Sequence, residues 1–98
     1  MSSIRTLMKQ AQQMQEKLQR ELAETVVEAS VGGGMVTVEM SGHKKLVSVK
    51  IDPEVMDPDD PSVLEDLILA AVNEANRRVD ETLQERMGSL AAGMPGLF

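Results

Sequence analysis

Residues 4–22 carry two opposed rows of side chains when the segment is drawn as an α-helix, at about 100° per residue. The apolar row repeats mostly at 3-4-3-4 spacing, which is typical of a helix that packs against another helix. The apolar stripe consists of Ile4, Leu7, Met8, Ala11, Met14, Leu18 and Leu22, and the basic arc on the opposite side consists of Arg5, Lys9, Lys17 and Arg20. We predict a helix from about Ser3 to Ala23, with one face for a protein partner and one face that holds positive charge.

Three strands are predicted after this helix, because β-branched residues alternate with polar ones at a period of two. The positions expected on one apolar face are Val27, Ala29, Val31, Val36, Val38, Met40, Val47, Val49 and Ile51. Leu46 and Ser48 would lie on the opposite, solvated face. Gly32-Gly33-Gly34 supplies the positive φ angles of a tight hairpin, and residues 41–45 form the second turn. The pattern indicates a three-stranded antiparallel meander.

A long C-terminal helix is predicted after an acidic connector that contains three Asp-Pro pairs. The helix begins either at Asp60, which would cap it with Pro61 in first position, or at Ser62, which forms a capping box with Glu65. Its apolar stripe is broad, as expected for a helix that lies on a sheet. Gly88 is expected to end it, which leaves residues 88–98 as a flexible tail.

The small sheet leaves one helix without a surface to cover. Three strands span about 14 Å at their usual spacing, whereas two packed helices lie 8–10 Å apart. We therefore expect the C-terminal helix on the sheet and the N-terminal helix against a second copy of the chain. The expected dimer contacts are Leu7, Ala11, Met14 and Leu18. The alternative is a monomer in which both helices crowd over one sheet. Either way, residues 1–98 form a single α+β domain of α-β-β-β-α order.

The chain carries a net charge of −6, but this charge is unevenly distributed. Residues 1–22 hold four Lys/Arg against two Glu, whereas residues 53–98 hold three Arg against ten acidic residues. Overall negative charge disfavours binding to nucleic acid. Any anion-binding surface must therefore come from the first half of the chain. A basic row on a helix is also commonly just a solvated face, and periodicity alone leaves both interpretations open.

The residue types that metal and redox chemistry require are nearly absent. There is no cysteine, and the single histidine, His43, lies in a turn among lysines. We therefore expect no disulfide, metal, cofactor or enzymatic activity. Phe98 is the only aromatic residue, which argues against a base-stacking surface. No apolar run approaches the length of a membrane span, and no signal peptide is recognisable. We expect a cytoplasmic protein without membrane association.

Four sequence blocks resemble one family, the bacterial YbaB/EbfC nucleoid-associated DNA-binding proteins. The blocks are LMKQAQQMQEKLQ, GGGMVTVEMSG, VSVKIDPEVM and LEDLILAAVNEANRR, and the closing GMPGLF tail is also similar. The resemblance covers essentially the whole chain and implies an α-β-β-β-α protomer with long terminal helices that forms a tweezer-like homodimer. It also implies binding to duplex DNA in the nucleoid, with roles in nucleoid organisation and gene regulation.

The family's DNA contacts map here to the basic arc, Arg5, Lys9, Lys17 and Arg20. Arg77 and Arg78 are weaker candidates, because acidic residues lie within helical reach of both and favour ion pairs on the surface. Contacts to backbone phosphates would carry little base information. The alternative function is a dimeric adaptor for another protein, for instance in recombination or repair, with incidental DNA binding.

Overall fold

The computed structural model describes residues 2–92 of the chain, with side chains from residue 3 to residue 88. The elements in chain order are α1 (Ser2–Glu24), β1 (Val26–Val31), β2 (Val36–Ser41), β3 (Leu46–Ile51), a short 3-10 helix (Pro53–Val55) and α2 (Ser62–Ala92). The predicted α-β-β-β-α order is confirmed. The predicted end of the second helix at Gly88 is wrong, because α2 continues to Ala92. The predicted tail therefore starts inside a helix, and residues 93–98 lie outside the described part of the chain.

The sheet is an antiparallel meander of order β1-β2-β3. Its first hairpin is the predicted one, with φ angles of 64°, 67° and 94° at Gly32, Gly33 and Gly34. A bulge opposite Glu39 and Met40 shifts the register of β3, so that Leu46 becomes the partner of Met40. Antiparallel partners share a face of the sheet. Leu46 therefore lies on the same face as Met40, and its predicted place on the solvated face is wrong.

The core lies between α2 and the first two strands. Its fully buried members are Ala29, Val36, Val38, Met40, Ala71, Ala75 and Val79. Alanines on both layers allow the helix to approach the sheet closely, and the valines fill the space between them. The predicted apolar face of β3 is not covered in the same way. Val47 is 58% exposed and Val49 is 45% exposed, because α2 lies over β1 and β2 and leaves the third strand beyond its edge.

The first turn of α2 is built differently from the predicted capping box. The Ser62 hydroxyl donates to the Asp60 carboxylate at 2.5 Å, and the Glu65 amide donates to the carbonyl of Pro61. Ser62 is the first helical residue, so the later of the two predicted start positions is correct. Asp60 still contributes to this turn, through the hydroxyl of Ser62.

Helix α1 projects away from the sheet. All of its side chains from residue 3 onward are exposed except that of Leu22, which is half-buried. The radius of gyration is 19.4 Å, whereas a compact domain of this length has a radius of about 13 Å. The alternative in which both helices cover the sheet is therefore wrong. The N-terminal helix leaves its apolar stripe unburied in the protomer.

Candidate nucleic-acid interface

A close backbone contact attaches α1 to the sheet. The amide of Gly42, in the β2–β3 turn, donates to the carbonyl of Leu22 at 3.0 Å and to that of Thr25 at 2.9 Å. Leu22 lies in the last turn of α1, where helix carbonyls have no partner within the helix, and Thr25 directly follows the helix. In the same turn, the His43 ring nitrogen Nε2 lies 3.2 Å from the carbonyl oxygen of Gln19. The β2–β3 turn therefore fixes the position of the C-terminal end of α1.

The four cations of the basic arc lie along the exposed surface of α1. Within the part of the chain that the structure describes, none of their side chains forms a hydrogen bond or an ion pair. Arg5 is 17 residues from Leu22, which places it about 26 Å from the attachment point at 1.5 Å per residue. Glu16 is also exposed on this side of the helix. The basic arc is thus a row of four positive charges on a projecting helix. The four side chains form no ion pair with any described residue, and one carboxylate, that of Glu16, lies among them.

Arg77 and Arg78 are in a different state, because both are engaged with acidic side chains of α2. Arg77 pairs with Glu74 at 2.5 Å and also with Glu81. Arg78 donates to the Glu74 carboxylate at 3.2 Å and to the main-chain carbonyl of Glu28 on β1 at 2.8 Å. The expected surface ion pairing is confirmed. The hydrogen bond from Arg78 to Glu28 also ties the middle of α2 to the edge of the sheet.

The electrostatics of this cluster follow from its hydrogen bonds. Those from Arg77, and next those from Arg78, lower the pKa of Glu74 from its ordinary value of 4.5 to about 2. The bond to Glu74 raises the pKa of Arg77 in turn. An arginine whose N–H groups already bind carboxylates would have to break those charged hydrogen bonds before it could bind a phosphate. The cluster is therefore better suited to holding α2 than to binding an anion.

Of the remaining cations, two bind other side chains and two do not. Lys44 forms an ion pair with Asp80 at 2.9 Å, and Arg86 donates to the hydroxyl of Thr25 at 2.8 Å. Lys45 and Lys50 flank the exposed side of β3 and form no side-chain bond to any described residue. The basic arc is therefore the longest row of unengaged cations in the described part of the chain.

The apolar stripe of α1 is as exposed as the basic arc. Met14 is 72% exposed, Leu7 64% and Leu18 54%, and Ala11 is also exposed. Near the attached end of the helix, Leu18 and Leu22 face Leu83 and Met87 of α2 across an open apolar groove. The structure thus places all four predicted interface residues on one unburied surface.

Two further observations limit the chemistry of the described residues. They contain no group of three or more His, Cys, Asp or Glu side chains that could hold a metal ion. No helix among residues 2–92 combines the length and the apolar character that crossing a bilayer would require.

The attachment of α1 was not anticipated from the sequence. Gly42 is one of several glycines in turns, and only its distance to Leu22 distinguishes it. Lys44 has a φ angle of 63°, a conformation that non-glycine residues seldom adopt. The one available signal is the unusual turn Ser-Gly-His-Lys-Lys, in which glycine is the second residue and a lysine, not the glycine, has the positive φ angle.

Comparison with known proteins places these features in context. The family model described as the YbaB/EbfC DNA-binding family matches residues 1–94. A nucleoid-associated protein of Chloroflexus aurantiacus is 50% identical over 97 residues, which cover 96% of this chain and 97% of the relative. A nucleoid-associated protein of Alkaliphilus metalliredigens is 50% identical over 101 residues, covering 98% and 89%. The crystal structure of an uncharacterized Helicobacter pylori protein has the same fold, with a TM-score of 0.72, 22% identity and coverage of 92% and 95%.

Proposed function

The chain belongs to the YbaB/EbfC DNA-binding family, and from this premise we propose that it binds duplex DNA as a homodimer, through the basic arc of α1. The observation that carries the proposal is the contrast between the two basic regions. Arg5, Lys9, Lys17 and Arg20 are free and project from the sheet, whereas Arg77 and Arg78 are held by carboxylates. Free cations can neutralise phosphates and release counterions, which is the main source of sequence-independent affinity for DNA.

The homodimer is supported by the amount of exposed surface. The accessible surface of the protomer is 7558 Å², whereas a folded monomer of its mass exposes about 5,500 Å². The excess of about 2,000 Å² is ample for an interface of ordinary size, which buries about 800 Å² on each partner. We assign the interface to Leu7, Ala11, Met14 and Leu18, because they form the exposed apolar stripe that has no cover in the protomer.

Association with the nucleoid follows as part of the proposal. The relatives named above are nucleoid-associated proteins. Binding through phosphates positions a protein on the duplex without reading its bases. Many copies on the chromosome would then contribute to nucleoid organisation in the bacterial cytoplasm, and to gene regulation where they cover promoters.

The test is a gel-shift salt titration on several unrelated duplexes. Neutralising the whole arc (Arg5→Gln, Lys9→Gln, Lys17→Gln and Arg20→Gln together) should remove most of the affinity and flatten the slope of log K against log salt. Each lost phosphate contact contributes about 0.9 to that slope. Lys50→Gln is the matched control, because it removes an exposed, unengaged cation on β3. If the fourfold variant remains a folded dimer with unchanged slope, α1 is not the DNA surface.

Glu16→Gln is a second, opposite change within the arc. It removes a like charge from beside the phosphates, so binding should strengthen, mostly at low salt where screening is weakest. Lys9→Gln alone should weaken the affinity for DNA. A weaker affinity for Lys9→Gln and a stronger affinity for Glu16→Gln would together show that charge on this face controls binding.

The second candidate function is a dimeric adaptor for another protein. The observation that favours it is the exposed apolar side of β3, formed by Leu46, Val47 and Val49. Such a surface is a common docking site for a protein partner. A partner recovered equally well after nuclease treatment, and lost on Val47→Lys, would favour the adaptor over the DNA-binding protein.

A further inference from the structure

The open apolar groove between α1 and α2 lies close to the point where α1 is attached to the sheet. Its volume is about 380 Å³, and its lining consists of Leu18, Leu22, Leu83 and Met87, together with Glu21 and Arg86. Met87 is 70% exposed, so much of this apolar surface is in contact with water. Burial of such a surface under apolar side chains is favourable.

The two walls of the groove are held at a fixed separation. Leu83 is half-buried and also packs against the core, so the α2 wall is continuous with the body of the protein. Arg86 of α2 donates to the Thr25 hydroxyl at 2.8 Å, and this hydroxyl donates to the carbonyl of Glu21 at 2.6 Å. With the Gly42 contact, these bonds hold the end of α1 beside α2. The groove is therefore already formed and can be covered without a movement of either helix.

We propose that the groove is filled by residues 93–98 of the same chain, Gly-Met-Pro-Gly-Leu-Phe, which follow α2 directly. This inference goes beyond the proposed function and does not depend on DNA binding. The segment contains three large apolar residues, Met94, Leu97 and Phe98, and no charged side chain. Its apolar composition matches the leucine and methionine walls of the groove.

The segment is long enough to reach the groove. The last residue of α2 is Ala92. Met87 lies five residues before it and Leu83 nine, which places them about 8 Å and about 14 Å back along the helix at 1.5 Å per residue. Six residues in extended conformation span about 20 Å. After a reversal at the end of α2, Leu97 and Phe98 can therefore reach the whole length of the groove.

The residues at the start of the segment are suited to that reversal. Gly93 directly follows the helix, and glycine at this place commonly adopts a positive φ angle and turns the chain back. Pro95 has no N–H group and cannot continue a helix. Because the segment is covalently joined to α2, its effective concentration at the groove is high. A contact too weak to hold a separate peptide would therefore keep the groove occupied.

A single tryptophan in place of Phe98 tests the inference, because the chain contains no tryptophan and no tyrosine. In the folded Phe98→Trp protein, the emission should lie at short wavelength and resist quenching by acrylamide, and urea should shift it to longer wavelength. Emission typical of water-exposed tryptophan in the folded protein would overturn the inference.

A second substitution locates the tryptophan in the groove. Met87→Glu places a charge in the groove, and an unpaired charge against an apolar side chain is unfavourable. In the Phe98→Trp background it should shift the emission to longer wavelength and increase quenching, with unchanged circular dichroism. Leu69→Glu is the matched control, because Leu69 is an exposed residue of α2 that does not line the groove. No response to Met87→Glu, or the same response to Leu69→Glu, would overturn the inference.

Mixed chains distinguish the groove of the same chain from that of a second copy. The chain with both Phe98→Trp and Met87→Glu is refolded with an excess of chain that lacks residues 93–98 and has an unchanged groove. The emission should remain at long wavelength, because the tryptophan has no intact groove in its own chain. A return to short wavelength would show that the segment fills a second copy and would overturn the assignment. Both experiments are performed without DNA, so their failure would leave the proposed function intact.

Discussion

The main-chain nitrogen of Gly42 lies 3.0 Å from the carbonyl oxygen of Leu22, and this contact joins the sheet to the projecting helix. A Cβ atom at position 42 would lie 2.6 Å from that same oxygen. No side chain can be accommodated there unless the two backbone segments separate. The position of α1 therefore depends on a residue without a side chain.

Gly42→Ala should weaken the attachment of α1 and destabilise the protein. The expected cost is about 1–3 kcal/mol, the usual cost of a lost buried hydrogen bond or an overpacked contact. Denaturant melts give the stability, and hydrogen exchange at the last turn of α1 shows whether the loss is local. Gly88→Ala is the control, because nothing lies within 4 Å of a Cβ there and alanine favours a helix. Equal effects at both positions would contradict the proposed role of Gly42.

Val38→Ala and Val49→Ala should lower the free energy of unfolding by different amounts, although the two residues are partners across β2 and β3. Val38 is fully buried under α2, so truncation should cost about 1–3 kcal/mol from lost burial and the cavity that remains. Val49 is 45% exposed, so its truncation to alanine should cost less than about 1 kcal/mol. Urea melts at low protein concentration compare the two variants. A cost at Val49 that matches Val38 would mean that another chain covers β3 in solution.

Leu18→Asp should convert the protein from dimer to monomer. The substitution places a charge on the apolar stripe, and an unpaired charge in an interface costs several kcal/mol. Sedimentation or light scattering reports the mass. Leu69→Asp is the matched control, because Leu69 on α2 is similarly exposed at 62% but does not belong to the stripe. A wild-type protein that is monomeric at micromolar concentration would contradict the interface.

Acid should destabilise the fold partly through Glu74. Its pKa is about 2 in the folded chain, below the ordinary value of 4.5, so the unfolded state takes up a proton first as the pH falls. The stabilisation is present above about pH 4.5 and disappears as the pH approaches 2. Thermal melts at pH 6 and pH 3 should therefore differ less for Glu74→Gln than for the wild-type chain. An identical difference in both proteins would contradict this role of the arginine cluster.

The sequence predicted the elements because each has a strong local signal. The helical period of α1, the alternation in β1 and β2, and the three consecutive glycines all depend on neighbouring residues. The face of Leu46 is not predicted because it depends on a bulge, and the exposure of Val49 is not predicted because it depends on the lateral position of α2. Both features depend on contacts that are distant in sequence. The pairing of Arg77 with Glu74 was foreseen because the two lie one turn apart, whereas the contact of Gly42 with Leu22 joins segments twenty residues apart.

The attachment at Gly42 has a mechanical consequence. Arg5 lies about 26 Å beyond that contact along α1. A rotation of the helix about its attachment to the β2–β3 turn therefore displaces its far end the most. A rotation of about 10° at this attachment moves the far end by about 4–5 Å, which exceeds the 3.4 Å axial step between successive phosphates of one strand. If these cations bind DNA as proposed, the fit between this turn and the end of α1 sets the register in which they meet the phosphates.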